Sequence, residues 1–355
     1  MVRKFLRHVA GIDVAQKELV VSMGRMHEDL TAEVYAYKTF PNTDKGFAAL
    51  VLWAQKCAGE GALVRFVMEA TGVYHEALAY CLEGSGHAVS IVLPNKISNY
   101  ARSLDVKTVT DRTASEAIAR FGLERKLEDW KRPKDIFKRM RQLCRERDQV
   151  VEERTVAKNQ LHAEQSEAEP NKRSVKRIES RIALLDKQEK EIREEVSQLV
   201  GSDEGIKQVV VLICSIPGIG LLTAAVILAE TNGFDLIRNK RQLASYAGLD
   251  VKDKQSGTSV KGKPRISKQG NRNLRKAMHM PSLMAIRDER FKAIYARLVS
   301  KHGIKIKALV AIQRKLLEMV YTIYKTNTKY DSAYLQKQEE KKAAAKKAAE
   351  DKRAA

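Results

Sequence analysis

Two carboxylates stand at the ends of strand-like segments in the N-terminal part of the chain. Asp13 interrupts the apolar segment 8–15, and Glu69 directly follows the apolar segment 63–68. A carboxylate on a buried strand is costly unless it meets a cation, a hydrogen-bond donor or a metal. Ligands of α/β sheets bind at the carboxyl ends of strands, so two acids there indicate a site for a hard divalent cation that also binds phosphate oxygens. The alternative is that each acid caps a turn.

The segments around these acids predict an α/β layer. Runs of apolar and β-branched residues predict strands at 8–15, 19–23, 32–37, 63–68 and 88–93. The first two runs read as a β-hairpin, and helical spacing of apolar residues follows the third and fourth runs. Such alternation is typical of a mixed sheet covered by helices. Gly11, close to Asp13, leaves room for another segment to approach the first strand.

The composition points to a polyanionic partner. The formal net charge is +21 and the isoelectric point is about 9.7, as is typical of proteins that bind nucleic acid. No apolar run approaches the roughly 20 residues that span a bilayer, and the first residues show no secretory signal pattern, so we expect no membrane partner. The four cysteines form no CxxC pair, which excludes a zinc ribbon and suits a reducing cytoplasm.

The middle of the chain, from residue 131 to 200, predicts two long helices. Apolar residues alternate with heptad spacing over 178–199, and Glu189 occupies one position of this seam. A weaker seam over 136–150 is broken by Arg147, and Pro170 separates the two. This pattern predicts an antiparallel helical hairpin. Its role stays open between a solvated structural arm and an arm for assembly or nucleic-acid contact.

Two stretches in the C-terminal part could contact phosphate. Pro217, Gly218 and Gly220 lie in a tight turn between two apolar helices. This helix-hairpin-helix pattern exposes amides that can bind a backbone phosphate, although such a turn also serves plain packing. Ser256 lies in a polar, basic segment, where cations favour contact with phosphate. Because no His lies nearby in the sequence, the composition of this segment alone would predict an ordinary loop serine. The cations that we expect to contact nucleic acid are Lys261, Lys263, Arg265, Lys268, Arg272 and Arg275.

Taken together, these motifs resemble the insertion-sequence-110 family of DEDD transposases, relatives of the pilin-inversion recombinase. The residues that carry the resemblance are GIDV (11–14), MEATGVY (68–74), KTVTDR (107–112), PGIG (217–220), YAGL (246–249), SG (256–257), ISKQGN (266–271) and LR (274–275). The resemblance implies four parts along the chain: a RuvC-like, ribonuclease-H-like α/β domain at 1–127, a coiled-coil arm at 128–203, a mainly helical transposase domain at 204–332 and a basic low-complexity tail at 333–355.

The resemblance also implies an activity and a site. Similar proteins move an insertion sequence by site-specific DNA recombination, guided by a bridge RNA, and act as dimers or tetramers in which acids of one subunit meet the serine of another. Asp13, Glu69 and Asp111 would be the acids that bind Mg²⁺, and Ser256 would form a phosphoseryl-DNA intermediate. The implied partners are donor and target DNA, a guide RNA and further copies of the chain, in the nucleoid of a prokaryotic cytoplasm.

The fourth acid of the family pattern is replaced. The pattern is Asp-x-x-Asp-Ala, and Ala114 stands three residues after Asp111. Glu116 or Asp105 could substitute, although Glu116 lies about 500° around an ideal helix from Asp111, well off its face. The other outcomes are a site with three acids and water ligands, or an impaired copy. Two further functions stay open: a RuvC-like structure-specific endonuclease that uses a metal-activated water, and a non-catalytic nucleic-acid-binding remnant.

Overall fold

The computed structural model describes residues 5–70, 72–104, 108, 110–235, 237–253, 255–256, 260–262 and 264–334, with backbone alone at 255–256, 260–261 and 302. Asp105, Gly257, Lys263 and the tail from residue 335 lie outside the described residues. The chain divides into two compact units, Met1–Arg132 and Pro133–Ala355. The finer division into four parts stays a prediction.

The first unit is built on a five-stranded sheet. Its strands are β1 (Arg7–Val14), β2 (Glu18–Met26), β3 (Ala32–Pro41), β4 (Val64–Glu69) and β5 (Ala88–Val92). Their order in the sheet is β3-β2-β1-β4-β5. The pairs β1–β2 and β2–β3 are antiparallel, whereas β1–β4 and β4–β5 are parallel. The mixed α/β sheet predicted from the strand and helix patterns is therefore confirmed.

Helices cover both faces of this sheet. They are α1 (Asp44–Ala58), α2 (Glu76–Gly84), α3 (Pro94–Ser103) and α4 (Asp111–Glu124). Successive side chains of a strand point to opposite faces, and each face of β1 has its own core. Ile12 packs in a cluster with Phe47 of α1 and Leu78 of α2. Val9 lies on the other face, in a cluster with Ile118 of α4.

The second unit is mainly helical. Its helices are α5 (Asp135–Gln165), α6 (Lys172–Gly201), α7 (Glu204–Cys214), α8 (Leu221–Thr231), α9 (Lys240–Tyr246), α10 (Arg272–Ala277), α11 (His279–Ala285), α12 (Glu289–His302) and α13 (Lys305–Thr326). One hydrophobic cluster extends from α5 and α6 to α13. Among the described residues, no helix is both long enough and apolar enough to cross a membrane.

Among the described residues between α9 and α10 lie four two-residue strands. They are β6 (Val251–Lys252), β7 (Gln255–Ser256), β8 (Val260–Lys261) and β9 (Arg265–Ile266). The outer pair β6–β9 and the inner pair β7–β8 are both antiparallel. The inner pair contains Ser256, which therefore lies toward the tip of the segment.

The two longest helices, α5 and α6, pack side by side in opposite directions. Arg147 binds Glu189, whereas Arg154, further along α5, also binds Asp186, earlier on α6. Glu189 is only 6 % exposed. It accepts hydrogen bonds from Nε and Nη2 of Arg147 at 3.1 and 2.7 Å and from Nη1 of Arg154. Arg147, which breaks the seam predicted over 136–150, thus binds Glu189, the polar residue of the seam predicted over 178–199.

Candidate active site

Asp13 and Glu69 lie beside each other at the carboxyl ends of two parallel strands. Ile12 of β1 is opposite Met68 of β4, so the two acids occupy the next position of each strand. Because side chains alternate between the two faces along a strand, Asp13 lies on the same face of the sheet as Val9. This is the face that α4 covers. The two acids that the sequence analysis singled out are therefore brought to one edge of the sheet.

Close packing of α4 on β1 depends on a glycine. A Cβ atom at Gly11 would lie 2.2 Å from the backbone nitrogen of Ala119 and 2.5 Å from the backbone oxygen of Ser115. Ser115 is fully buried, and its Oγ lies 2.7 Å from Oγ of Ser22 on β2. The close approach expected beside Asp13 is thus made by the backbone of α4.

The direction of α4 brings a third acid to the same edge. A Cβ atom at Gly122 would lie 2.8 Å from Cγ1 of Val9, so the end of α4 covers the start of β1. Gly11, further along β1, faces the middle of the helix. Helix and strand therefore run in opposite directions. Asp111, the first residue of α4, is directed to the carboxyl end of β1, where Asp13 lies.

The electrostatics of Asp13 agree with this placement of the three acids. Its pKa is raised to about 6, first because burial disfavours the charged form and then because the carboxylates of Asp111 and Glu69 repel it. A backbone hydrogen bond at Val14 acts in the opposite direction. A carboxyl with a raised pKa between two other acids is the arrangement that a cation would relieve.

The donor set fits a divalent cation by its chemistry. Carboxylate oxygens from separate elements are ligands that Mg²⁺ accepts, and such an ion would offset the repulsion that raises the pKa of Asp13. In the arrangement described here, no three His, Cys, Asp or Glu side chains of the described residues already form a group that could hold an ion.

Glu116 is engaged elsewhere. Its Oε1 accepts a hydrogen bond from Nε of Arg112 at 3.0 Å, and this guanidinium lies 4.1 Å from the ring centroid of Tyr37 on β3. Glu116 is also absent from the groups that shift the pKa of Asp13. The structure thus places Glu116 with Arg112 rather than with the three acids. Ala114 offers only a methyl group, so the fourth ligand has no evident source among these residues.

The turn at 217–220 joins α7 to α8 and packs against α11. Gly218 has a φ of 86°, and a Cβ atom there would lie 2.6 Å from the backbone oxygen of Pro281. Glycine is therefore required both by the backbone conformation and by the close approach. Gly220 is the N-cap residue of α8 and has no side chain that could bond the first backbone amides of the helix. The turn serves helix packing, and its contact with phosphate stays a prediction.

The basic residues near Ser256 fall into two groups. Arg265, Lys268 and Arg272 are exposed, as a nucleic-acid surface requires. Arg275 is partly buried, and its Nη1 donates a hydrogen bond to the backbone oxygen of Ala247 at 2.8 Å. Arg275 thus has a structural contact that its sequence position alone does not reveal.

One buried charged residue was missed by the sequence analysis. Glu230 on α8 is 3 % exposed and accepts hydrogen bonds from Nε and Nη2 of Arg145 at 2.9 and 3.0 Å. Nδ2 of Asn271 and Nδ2 of Asn273 donate to it at 2.7 and 3.1 Å. Burial is the largest influence on its pKa and raises it, but these donors outweigh burial and hold the pKa below its usual value. The available signal was a lone carboxylate in an otherwise apolar helix.

Comparisons with known proteins agree with this organisation. A family model for DEDD transposases of the IS110 type, described as Transposase, matches residues 10–166, and the model described as Transposase IS116/IS110/IS902 family matches residues 210–296. The pilin gene-inverting protein of Moraxella lacunata is 29 % identical over 327 residues, which cover 90 % of this chain and 97 % of that protein. Its counterpart from Moraxella bovis is 30 % identical over 299 residues, which cover 82 % and 90 %.

A solved structure of RuvC from Thermus thermophilus is 14 % identical and covers 35 % of this chain and 99 % of RuvC at a TM-score of 0.28, a similarity too low to support a conclusion. The assignment rests instead on the family models, which match parts of both units, and on the two relatives, which align over most of their length. On these grounds the chain belongs to the IS110 family of transposases, enzymes that recombine DNA.

Proposed function

We propose that this transposase exchanges DNA strands through a phosphoserine intermediate on Ser256, with Asp13, Glu69 and Asp111 as the site of a divalent cation, Mg²⁺. The observation that supports the proposal best is that β1, β4 and the start of α4 bring Asp13, Glu69 and Asp111 to one edge of the sheet. Burial and the two neighbouring carboxylates raise the pKa of Asp13 to about 6, as expected of acids gathered for a cation.

The proposed chemistry has two balanced steps. The Ser256 oxygen forms a bond to phosphorus and gives up its proton to water, while one P–O bond of the DNA breaks and the leaving DNA oxygen takes up a proton from water to become a hydroxyl. The oxygen of a DNA hydroxyl then attacks the same phosphorus and gives up its proton, while the P–O bond to serine breaks and the serine oxygen takes up a proton. One hard exchange is thus divided into two easier ones, and the phosphodiester energy is retained for rejoining. A bound Mg²⁺ would stabilise charge on the phosphate and on the leaving oxygen.

The remaining parts of the proposal concern partners and architecture. The exposed cations Arg265, Lys268 and Arg272 would contact the phosphates of donor and target DNA, because such contacts position nucleic acid without reading its sequence. Sequence choice would come from pairing with a guide RNA, as in other guided systems. A RuvC-like fold for the first unit, a coiled-coil arm formed by α5 and α6, a phosphate contact at 217–220 and a homo-oligomeric state complete this proposal.

The test is a search for a covalent protein–DNA adduct. The full chain is incubated with RNA transcribed from its native flanks, donor and target DNA, and Mg²⁺, and the products are separated on a denaturing gel. We expect an adduct that Ser256→Ala and Asp13→Ala abolish. The matched control is Ser180→Ala, an exposed serine of α6 whose hydroxyl bonds only its own helix backbone, and it should leave the adduct intact.

The other outcomes separate the alternative functions. Cut DNA without an adduct would favour a RuvC-like endonuclease that uses water and would exclude Ser256 as nucleophile. Retention of the adduct in Ser256→Ala would assign the linkage to another residue. Binding of nucleic acid without any Mg²⁺-dependent cleavage would indicate a non-catalytic remnant.

A further inference from the structure

We propose that Glu230 is a positioning residue that fixes the segment containing Ser256. This segment leaves α9 at Tyr246 and returns to α10 just after Asn271. Oη of Tyr246 donates a hydrogen bond to the backbone oxygen of Glu230 at 2.9 Å, and Nδ2 of Asn271 donates to its Oε2 at 2.7 Å. One residue of α8 therefore binds both ends of the segment. The inference rests on the proposed role of Ser256.

The carboxylate of Glu230 is fully engaged by protein donors. Arg145 of α5 contributes two N–H groups, and Asn271 and Asn273 contribute one each. Hydrogen bonds to a buried charge are stronger and more directional than those between neutral groups. The contact consequently ties the start of α10 to two other helices of the unit, α5 and α8.

The two ends of the segment also touch each other directly. The backbone nitrogen of Asn271 donates to the backbone oxygen of Tyr246 at 2.6 Å. A Cβ atom at Gly270 would lie 2.4 Å from that same oxygen and 2.8 Å from the backbone nitrogen of Gly248. Because the two ends of the segment are in contact here, a displacement of Asn271 would be transmitted to Tyr246 and to the start of the segment.

The described part of the segment contains little regular structure. Its regular structure consists of two pairs of two-residue strands, β6–β9 and β7–β8. Isolated pairs of short strands are marginally stable in water. The inference is that contacts at the base of the segment, next to Glu230, contribute most to where the strand that contains Ser256 lies.

The test compares Glu230→Gln with Glu189→Gln in the full chain without nucleic acid. The control has the same chemistry, because Glu189 is also buried and bound by arginines, but it lies in the α5–α6 pair. Hydrogen exchange is followed by mass spectrometry in peptides that contain the amides of 249, 267, 268 and 271, which bond to backbone oxygens within 244–250. We expect at least tenfold faster exchange in Glu230→Gln, about 1.4 kcal/mol, and no change there in Glu189→Gln.

A kinetic measurement adds a test of positioning, because the rate of adduct formation at saturating DNA would not change if Glu230 only stabilised the fold. Glu230→Gln should slow adduct formation at least tenfold at saturating DNA and leave the DNA concentration for half-maximal rate unchanged, whereas Glu189→Gln should retain the rate. Equal exchange of the four amides in both variants would overturn the inference. If Ser256→Ala keeps the adduct, the proposed function fails, and exchange still decides whether Glu230 fixes the segment.

A milder variant covers the case in which Glu230→Gln does not fold. Arg145→Lys keeps a positive charge but loses the paired contact with both carboxylate oxygens. Arg145 is half exposed, so the change leaves no large cavity. The same amides should exchange faster in this variant, and unchanged exchange would again overturn the inference.

Discussion

Replacing Asp13 with Asn should stabilise the metal-free protein at neutral pH. In the folded chain the pKa of Asp13 is about 6, against 3.8 for an unperturbed aspartate, because of burial and repulsion by Asp111 and Glu69. An asparagine keeps the shape and can still accept the hydrogen bond at Val14, but it carries no charge. The variant therefore removes the repulsion without removing the packing.

The magnitude follows from the displaced pKa. A rise from 3.8 to about 6 corresponds to about 3 kcal/mol of destabilisation at pH 7, at about 1.36 kcal/mol per pKa unit. Asp13 is only partly buried, and solvent screens its interactions, so we expect Asp13→Asn to increase the free energy of unfolding by about 1–2 kcal/mol.

The pH dependence has a defined sign. Between pH 4 and 6, about the two pKa values of Asp13, the folded state binds more protons at this residue than the unfolded state. The wild-type free energy of unfolding therefore falls as the pH rises through this window. Above the window, the destabilisation by the charged Asp13 is complete. The increase in the free energy of unfolding caused by Asp13→Asn should be near zero at pH 4 and complete at pH 7.

Urea unfolding at pH 4, 5, 6 and 7 with a chelator measures this difference. Glu116→Gln is the matched control and should show no gain, because Glu116 is paired with Arg112. Adding Mg²⁺ at a hundred times its dissociation constant should stabilise the wild type by about 2.7 kcal/mol and Asp13→Asn much less. A gain of equal size at pH 4 and pH 7, or no gain at either, would refute the electrostatic reasoning.

Two further substitutions test the geometry around these acids. Gly11→Ala should destabilise the protein by about 3 kcal/mol, because the new Cβ would meet backbone atoms of α4, including the nitrogen of Ala119 at 2.2 Å. Gly84→Ala has no atom within 4 Å and should be neutral or stabilising by up to about 1 kcal/mol in the same urea assay. Equal stability of both variants would contradict the close packing. Ala114→Asp adds a carboxylate on the face of Asp111, so it should lower the melting temperature without Mg²⁺ and enlarge the rise that Mg²⁺ causes. An unchanged Mg²⁺ response would remove position 114 from the site.

The features that local pattern determines could be predicted from the sequence. Apolar and β-branched runs located the five strands of the sheet, and the position of Asp13 and Glu69 after two of them indicated a shared edge. Gly11 was recognised as a point of close approach because it lies within the first apolar run and has no side chain. These predictions depend only on neighbouring residues and on the period of the strand.

The features that were missed depend on contacts between distant segments. The helix that begins at Asp111 packs on β1 about a hundred residues earlier, and no local pattern reports that direction, so Asp111 entered only through the family resemblance. Arg147 was recognised as an interruption of one seam and Glu189 as a member of the other, but their pairing depends on the register of two long helices. Glu230 obtains its donors from Arg145 and Asn271, more than forty positions away in either direction.

The alanine at position 114 changes the balance between stability and metal binding. Each carboxylate near Asp13 disfavours the metal-free fold, since it repels the Asp13 carboxylate and raises its pKa. The same carboxylate favours a bound cation, and the two effects are linked because the cation removes the repulsion. A site with three acids should therefore cost less stability when empty and bind Mg²⁺ more weakly than a site with four. Weak but Asp13-dependent stabilisation by Mg²⁺ in the wild type would identify a working site of three acids, whereas stabilisation that appears only in Ala114→Asp would identify a site that has lost its metal.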